Sequence, residues 1–428
     1  MIEIIKYPKR KNWKKLAQRP VLELSGLEKS VEIILNKIKK QGDKGLFKYT
    51  KKFDGVKLKT LLVTEEEILS AERSLSAELK KAINQAKQNI EMFHKAQVEE
   101  IKHIETMPGV KCWRRSVGIE KVGLYIPGGT APLFSTVLML AIPAQIAGCN
   151  EIVLCTPPQK DGTVHPAILY AANICGIKNV FKAGGSQAIG AMAYGTETIP
   201  KVFKIFGPGN QYVTSAKQLV QLKGTAIDMP AGPSEVLIIA DDSSVPAFVA
   251  ADLLSQAEHG PDSQVILLTT KETIALKILE CLKEQLKELS RKAIVKTTLA
   301  NSKIILLENL DEAIEFSNQY APEHLILSID QAEKYISKIK SAGSVFIGNY
   351  SPESAGDYAT GTNHTLPTNG YAAMYSAVSV DSFVKKISYQ EITKQGLENI
   401  GKTVIQMATA EGLDAHKRAV EIRLNYLL

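Results

Sequence analysis

Apolar residues recur at intervals of three and four through LEKSVEIILNKIKKQGDKGLFKYTKKF and EEEILSAERSLSAELKKAINQAKQNIEMFHKA, which predicts helix across residues 26 to 103. Asp43–Lys44–Gly45 falls between two periodic runs and predicts a break. From Val122 the pattern changes. Short β-branched runs alternate with helical stretches: GLYIP, a helix through STVLMLAIPAQIAG, EIVLCTPP, a helix after His165, NVFKAGG, VFKIFGPG and a helix from Asn210 to Leu222. A second series repeats the alternation: EVLIIAD, PAFVAADLLSQAEHG, QVILLTT, a Lys/Leu-rich helix, KIILL, DEAIEFSNQYA, HLILSI and SVFIG. Alternation at this spacing predicts α/β units with parallel sheets, and two series of similar grammar predict a duplicated architecture. The chain closes in a stretch that reads as helical, without a strand pattern. Such a tail packs on another unit or subunit.

The length of 428 residues allows two or three domains with sizeable cores. With 45% apolar and 23% charged residues, the mix is that of a globular protein rather than a disordered one. The opening MIEIIKYPKRKNWKK, broken by Glu3, is no signal peptide. The longest apolar stretch, Val137 to Ala147, holds Pro143 and Gln145 and is too short to span a bilayer. These features predict a cytoplasmic enzyme with no membrane partner. Five cysteines (Cys112, Cys149, Cys155, Cys175 and Cys281) show no CxxC spacing, which argues against a disulfide framework and a thiolate zinc site alike. Part of the net charge of +7 comes from Lys6, Lys9, Arg10, Lys11, Lys14 and Lys15. Trp13 among them does not make the basic–aromatic interleaving of a nucleic-acid groove, so the cluster reads as a solvated face.

Three glycine-rich turns stand at predicted strand ends: Gly128–Gly129, Gly184–Gly185 and Gly207–Pro208–Gly209–Asn210. Each lets backbone approach a phosphate from a helix N-terminus, or is simply a turn. None is GxGxxG, so the dinucleotide fingerprint is absent, yet three turns at the carboxyl ends of one sheet mark where ligands of open α/β sheets bind. Among the histidines, His94 and His103 read as solvated, His165 as a cap or a surface group, and His364 as a loop residue, structural or near a site. His259 follows Gln256 by three residues in QAEHG, which places both on one helix face, as metal ligands or as a hydrogen-bonded surface pair. His416 lies at a helix break five residues after Glu411. In APEHLILS a proline-fixed turn delivers Glu323 and His324 to a strand, either as two groups that move protons near neutral pH or as an ion-paired loop. The residues alone point to an α/β enzyme with a candidate oxygen/nitrogen-ligand metal site and do not name the reaction.

Eight ordered segments cover nearly the whole chain: VGLYIPGGTAPLFSTVLMLAIPAQIAGC, GGSQAIGAMAYGT, FGPGNQYV, DMPAGPSEVLIIAD, LLSQAEHGPDSQ, YAPEHL, GDYATGTNHTLPT and EGLDAHKRA. Together they resemble the histidinol dehydrogenase family. The resemblance implies two Rossmann-like domains, each an incomplete doubly wound parallel sheet, with helical N-terminal and C-terminal extensions. Residues 1–22 would be the N-terminal extension and 23–124 plus 236–378 a discontinuous first domain with a helical start. Residues 125–235 would form a second domain with the NAD contacts, and 379–428 the helical tail. The implied reaction oxidises L-histidinol through L-histidinal to L-histidine with two NAD, the last steps of histidine biosynthesis. Gln256, His259, Asp357 and His416 would hold one zinc ion per subunit. Glu323 and His324 would handle protons, and Tyr125, Gln187 and Asn210 would contact NAD. Ser234 and Glu411 would join the metal ligands, His324 and Asp357 around the substrate. The implied assembly is a homodimer in which Glu411 and His416 complete the neighbour's site.

One amide oxygen, two imidazoles and one carboxylate suit zinc. The substrate's imidazole and amine are further zinc donors, so the metal would orient the substrate rather than polarise the reacting oxygen. The rival chemistry is a covalent thiohemiacetal on Cys112, Cys149 or Cys155, and no basic group near Cys149 or Cys155 in sequence lowers a thiol pKa. Two alternatives of other classes are a zinc- and NAD-dependent dehydrogenase of another polyol and a non-catalytic binding protein of the same fold. No local basic motif distinguishes NAD from NADP.

Overall fold

The computed structural model describes residues 2–20, 26–128, 132–230 and 232–427. Strand β1 (Glu3–Lys6) and a short helix α1 (Trp13–Leu16) precede three helices, α2 (Leu27–Phe53), α3 (Glu65–Ser74) and α4 (Ala77–Lys95). A hairpin of β2 (His103–Met107) and β3 (Val110–Gly118) follows. The first α/β unit runs β4 (Lys121–Tyr125), α5 (Phe134–Ile146), β5 (Glu151–Thr156), α6 (Pro166–Ile174), β6 (Asn179–Lys182), α7 (Gly185–Tyr194), β7 (Lys204–Phe206), α8 (Gln211–Gln221) and β8 (Ala226–Ile227). The second begins β9 (Glu235–Ala240), α9 (Pro246–Ala257), β10 (Gln264–Thr269), α10 (Glu272–Gln285) and α11 (Lys292–Ala300). It continues with β11 (Lys303–Leu306), α12 (Leu310–Tyr320), β12 (His324–Ser328), β13 (Ser344–Ile347) and α13 (Glu353–Tyr358). The chain ends in β14 (Val384–Ile392), α14 (Lys394–Ala410) and α15 (Asp414–Leu427).

The duplication predicted from the alternating runs is present in the strand order. One parallel sheet runs β6-β5-β4-β7-β8, and the other runs β11-β10-β9-β12-β13 with β1 added beyond β11. Counted within its own unit, each reads third, second, first, fourth, fifth, the Rossmann order without its sixth strand. β9 and β10 are buried along their whole length because helices cover both faces. Val236 and Ile238 face one core, Leu237 and Ile239 the other. Helix α5 is buried from Ser135 to Ala144 and packs on α4 and α6, which accounts for its apolar sequence all round. No helix among the described residues is long and apolar enough to cross a membrane.

The tail departs from its helical reading. β14 pairs antiparallel with β3 in a three-stranded sheet, β14-β3-β2. Its polar residues fall on both faces and it is buried nowhere, so it carries no period-two signal. His103 opens β2 rather than ending a helix. The helices of 27–95 also pack elsewhere than the division at 23–124 implies. α2 lies on α7 and α8, α3 on α6 and α4 on α5, so Leu35, Ile38, Ile83 and Ile90 join the cores of the five-stranded sheet. Small residues on α7 permit this: a Cβ on Gly190 would stand 3.0 Å from Leu35 Cδ2. The boundary at 124/125 falls inside β4, and that at 22/23 lies outside the described residues.

Helix α2 does break, at Gly42 (φ 50°, ψ −132°), one residue before the expected turn. The freed Asp43 N–H donates to Glu197 Oε2 at 2.7 Å. His94 is fully buried rather than solvated, its Nδ1 on the Ile90 carbonyl at 2.8 Å, whereas His165 caps α6 as expected. The basic N-terminus is partly paired: Lys6 meets Glu272, and Arg10 Nη1 lies 2.8 Å from Glu315 Oε1.

Candidate active site

A cleft of about 1860 Å³ opens between the carboxyl ends of the five-stranded sheet and the amino ends of the six-stranded sheet. On the first rim, Tyr125 ends β4, and two glycine turns lead from β6 into α7 and from β7 into α8. Tyr125 Oη accepts the Gly185 N–H at 3.0 Å, and burial pushes the phenol up to about 12. Gln187 is buried in the first turn of α7. Asn210 caps α8, its Oδ1 accepting from the N–H groups of Tyr212 (3.1 Å) and Val213 (3.2 Å). Gly207 has φ 124°, and a Cβ there would run into the Tyr125 carbonyl oxygen. Two helix N-termini with bare backbone beside them form a cradle suited to phosphate oxygens. Of the third expected turn, Gly128 is described and Gly129 lies outside the described residues.

The second rim carries the cluster of imidazoles and carboxylates. Helix α12 ends at Tyr320, Ala321 takes a left-handed conformation (φ 51°), and Pro322 turns the chain into β12. Glu323 and His324 thereby enter the rim buried, and Ser234 lies beside them at the start of β9. Glu323 Oε2 accepts the Glu235 N–H at 2.8 Å, and His324 Nδ1 lies 3.1 Å from the Glu235 carbonyl oxygen. His324 Nδ1 is also 3.6 Å from Glu323 Oε2 and 4.0 Å from Glu353 Oε1, while Nε2 is 3.7 Å from Asp357 Oδ1. Nε2 is buried without a hydrogen-bond partner. Burial pushes Glu323 and Glu353 up to about 8. Burial alone would lower His324, but Glu353, Glu323 and Asp357 outweigh it and raise the imidazole to about 10.

One helical turn of α13 sets Glu353 and Asp357 on the same face, toward the end of α9. Ligand atoms of His259, Glu353 and Asp357 all lie within 4.8 Å of one another. One imidazole and two carboxylates fit a borderline divalent cation such as zinc. His259 is open to the cleft, yet the protein around it holds its pKa below the usual value. Gln256 is fully buried, and its amide, oriented by its partners, donates to Glu353 Oε2 at 3.0 Å. His364 fixes Asp357 from behind: Nδ1 donates to the Asp357 carbonyl (2.9 Å), and Nε2 accepts from Thr136 Oγ1 (3.0 Å).

The fold thus brings most of the candidate residues to one place. Tyr125, Gln187, Asn210, Ser234, His259 and Glu323 line the cleft, and Gln256, His324 and Asp357 sit directly behind that lining. Glu411 and His416 are not brought there. Glu411 follows the end of α14 and His416 lies in the first turn of α15; both are exposed, and neither lines the cleft. Glu353 was not among the sequence candidates, although its i, i+4 spacing to Asp357 was visible in ESAGDY. None of the five cysteines lines the cleft, and burial pushes the Cys149 thiol up to about 11 and Cys155 further.

The histidinol dehydrogenase family model matches residues 17–424. The chain belongs to the histidinol dehydrogenase family. A histidinol dehydrogenase of Bacteroides thetaiotaomicron is 59% identical over 427 residues, covering 100% of both chains. One of Aliivibrio fischeri is 52% identical, covering 96% of this chain and 93% of its own. The crystal structure of histidinol dehydrogenase from Elizabethkingia anophelis superposes with a TM-score of 0.98 at 58% identity, covering 100% of this chain and 98% of the other.

Proposed function

We propose that this chain, an oxidoreductase of the histidinol dehydrogenase family, oxidises L-histidinol through L-histidinal to L-histidine with two NAD. The supporting observation is that a buried imidazole–carboxylate pair faces the metal-type donors: His324 Nε2 stands unpartnered 3.7 Å from Asp357 Oδ1. In the first oxidation His324, in its neutral form, takes the hydroxyl proton through Nε2. In the second, water must add to the aldehyde, and Glu323, in its ionised form, is placed to take the water's proton. His324, after passing its first proton to water, serves again on the hydrate. When bound, NAD accepts one hydride in each step. When bound, zinc at Gln256, His259 and Asp357 would orient the substrate's imidazole and amine and offset the negative field around His324. Glu353 holds the Gln256 amide in place. That no cysteine lines the cleft favours this route over a thioester.

Each site is completed by Glu411 and His416 of a second subunit in a homodimer. Their exposure supports this, as does the apolar surface of the tail, where Met407, Ile422 and Tyr426 are exposed. A biosynthetic, cytoplasmic role completes the proposal. The decisive assay supplies L-histidinol and NAD to purified protein: two NADH per substrate and loss of turnover on chelation are expected. One NADH per substrate, or full turnover without metal, contradicts the proposal. For the shared site, inactive His416→Ala and His324→Ala subunits are mixed and allowed to exchange. Activity should return, since one site in each heterodimer is then intact; exchange without activity refutes the crossed tail.

A further inference from the structure

Glu235 opens β9, and its backbone touches both members of the proton pair. Its N–H donates to Glu323 Oε2 (2.8 Å), and its carbonyl lies 3.1 Å from His324 Nδ1. Because the carbonyl can only accept, it holds the proton on Nδ1 and leaves the lone pair of neutral His324 on Nε2. The Glu235 side chain points the other way and is almost wholly enclosed, 3% exposed. Its carboxylate receives the Asn369 N–H at 2.8 Å and, from the N-terminal segment, Arg19 through both Nε and Nη2. Arg19 Nη2 also donates to the carbonyls of Tyr320 (2.7 Å) and Ala321 (3.3 Å), and the guanidinium lies 4.0 Å above the Tyr320 ring. Those carbonyls end α12 immediately before the turn that carries Glu323. One guanidinium therefore grips both supports of the pair, the start of β9 and the entry to β12.

We propose that Arg19 and Glu235 are positioning residues, whose ion pair fixes the Glu235 peptide and the Ala321 turn and so sets the placement and tautomer of Glu323 and His324. The proposal rests on the reading of those two as the proton-handling pair. Stability alone does not account for a buried ion pair, since apolar residues of equal volume serve as well or better. Nor does a bare positive charge: the planar, forked guanidinium matches a carboxylate and two carbonyls at once, which an ammonium does not.

Arg19→Lys keeps the charge opposite buried Glu235 and so keeps the fold. Its kcat should fall about tenfold with metal content, NAD binding and KM for L-histidinol unchanged. Arg19→Ala should lose about a hundredfold in kcat and regain part of it in millimolar guanidinium, because Arg19 lines the cleft and the vacated space is reachable. Arg10→Met, which removes a surface pair between the same segment and α12, should leave kcat as it was. Wild-type kcat in Arg19→Lys overturns the proposal. So does a loss in Arg19→Ala that guanidinium does not restore, or one matched by Arg10→Met. If Arg19→Ala does not fold, Arg19→Lys decides alone. His324→Asn in the same assays separates the two ideas: if it turns over normally, the proton pair itself is misassigned; if it is inactive while Arg19→Lys is normal, only the positioning role fails.

Discussion

The two parallel sheets have one strand order and opposite uses. The five-stranded sheet offers the cleft its carboxyl ends, with α7 and α8 arriving by their N-termini and Gly185, Gly207 and Gly209 keeping the backbone bare. The six-stranded sheet offers its amino ends, where α9 and α12 leave by their C-termini. Helix dipoles would then sort the proposed ligands, since N-termini favour phosphate and C-termini favour cations. The cation-type groups fall accordingly. His259 lies two residues beyond α9, and Arg19 sits on the last carbonyls of α12. A duplicated fold thus becomes a two-part site when one copy presents its opposite end, and the two rims should fail differently when altered.

The largest effect is expected on the amino-end rim. In the proposed mechanism His324→Asn removes the base for both oxidations, and general-base loss of this kind costs about 10³-fold in turnover. Glu323→Gln should slow aldehyde oxidation more than alcohol oxidation. NAD affinity should be unchanged in both. Single-turnover rates on L-histidinol and L-histidinal, with an NAD titration alongside, check this; a variant that loses NAD binding as much as turnover would erase the distinction between the rims.

A smaller effect of the opposite kind is expected on the carboxyl-end rim. Gly207 has φ 124°, and a Cβ there meets the Tyr125 carbonyl oxygen, so Gly207→Ala must shift the turn between β7 and α8. Backbone strain of this sort costs about 1–3 kcal/mol, which predicts roughly a tenfold or greater loss of NAD affinity if it falls on the bound state. Zinc content should stay at the wild-type level. Metal analysis and NAD titration of the purified variant test it, and loss of metal with NAD binding intact would contradict it.

How legible each part was in sequence follows from its surroundings. The parallel strands were readable because covered faces demand continuous apolar runs such as EVLIIA and QVILLT. The β14-β3-β2 sheet was not, because its strands are mostly solvated and pair residues as far apart as Lys111 and Glu391. QAEHG and APEHL could be marked as candidates since their spacing survives in the chain. Glu353 offered in sequence only its i, i+4 spacing to Asp357, a pairing that gains meaning when Gln256 and His324 arrive beside it. Arg19 followed a lysine-rich segment that reads as solvated, and nothing local announces Glu235, two hundred and sixteen residues on.

The smallest effect concerns what clamps the first sheet alone. Glu67 closes a capping box on α3 with Thr64, and its carboxylate also meets Lys182 at the end of β6. Burial by itself would raise the Glu67 pKa; the Lys182 and Thr64 hydrogen bonds outweigh it and hold it below its ordinary value. A depressed folded pKa means stability that is present above the unfolded value, near 4.3, and is lost as pH falls through the folded value. Glu67→Gln should therefore cost about 1 kcal/mol at pH 7, the lower end for a charge-assisted bond that water partly reaches. As the pH falls below the unfolded value the difference should begin to shrink, and it should vanish once the pH is below the depressed folded value, where wild-type Glu67 is neutral too. The effect should appear in urea unfolding as a shifted midpoint with unchanged slope. It should leave zinc content and the rim around His324 untouched, since Glu67 and Lys182 brace only the five-stranded sheet. A penalty equal at both pH values would mean that shape rather than charge carries the contact.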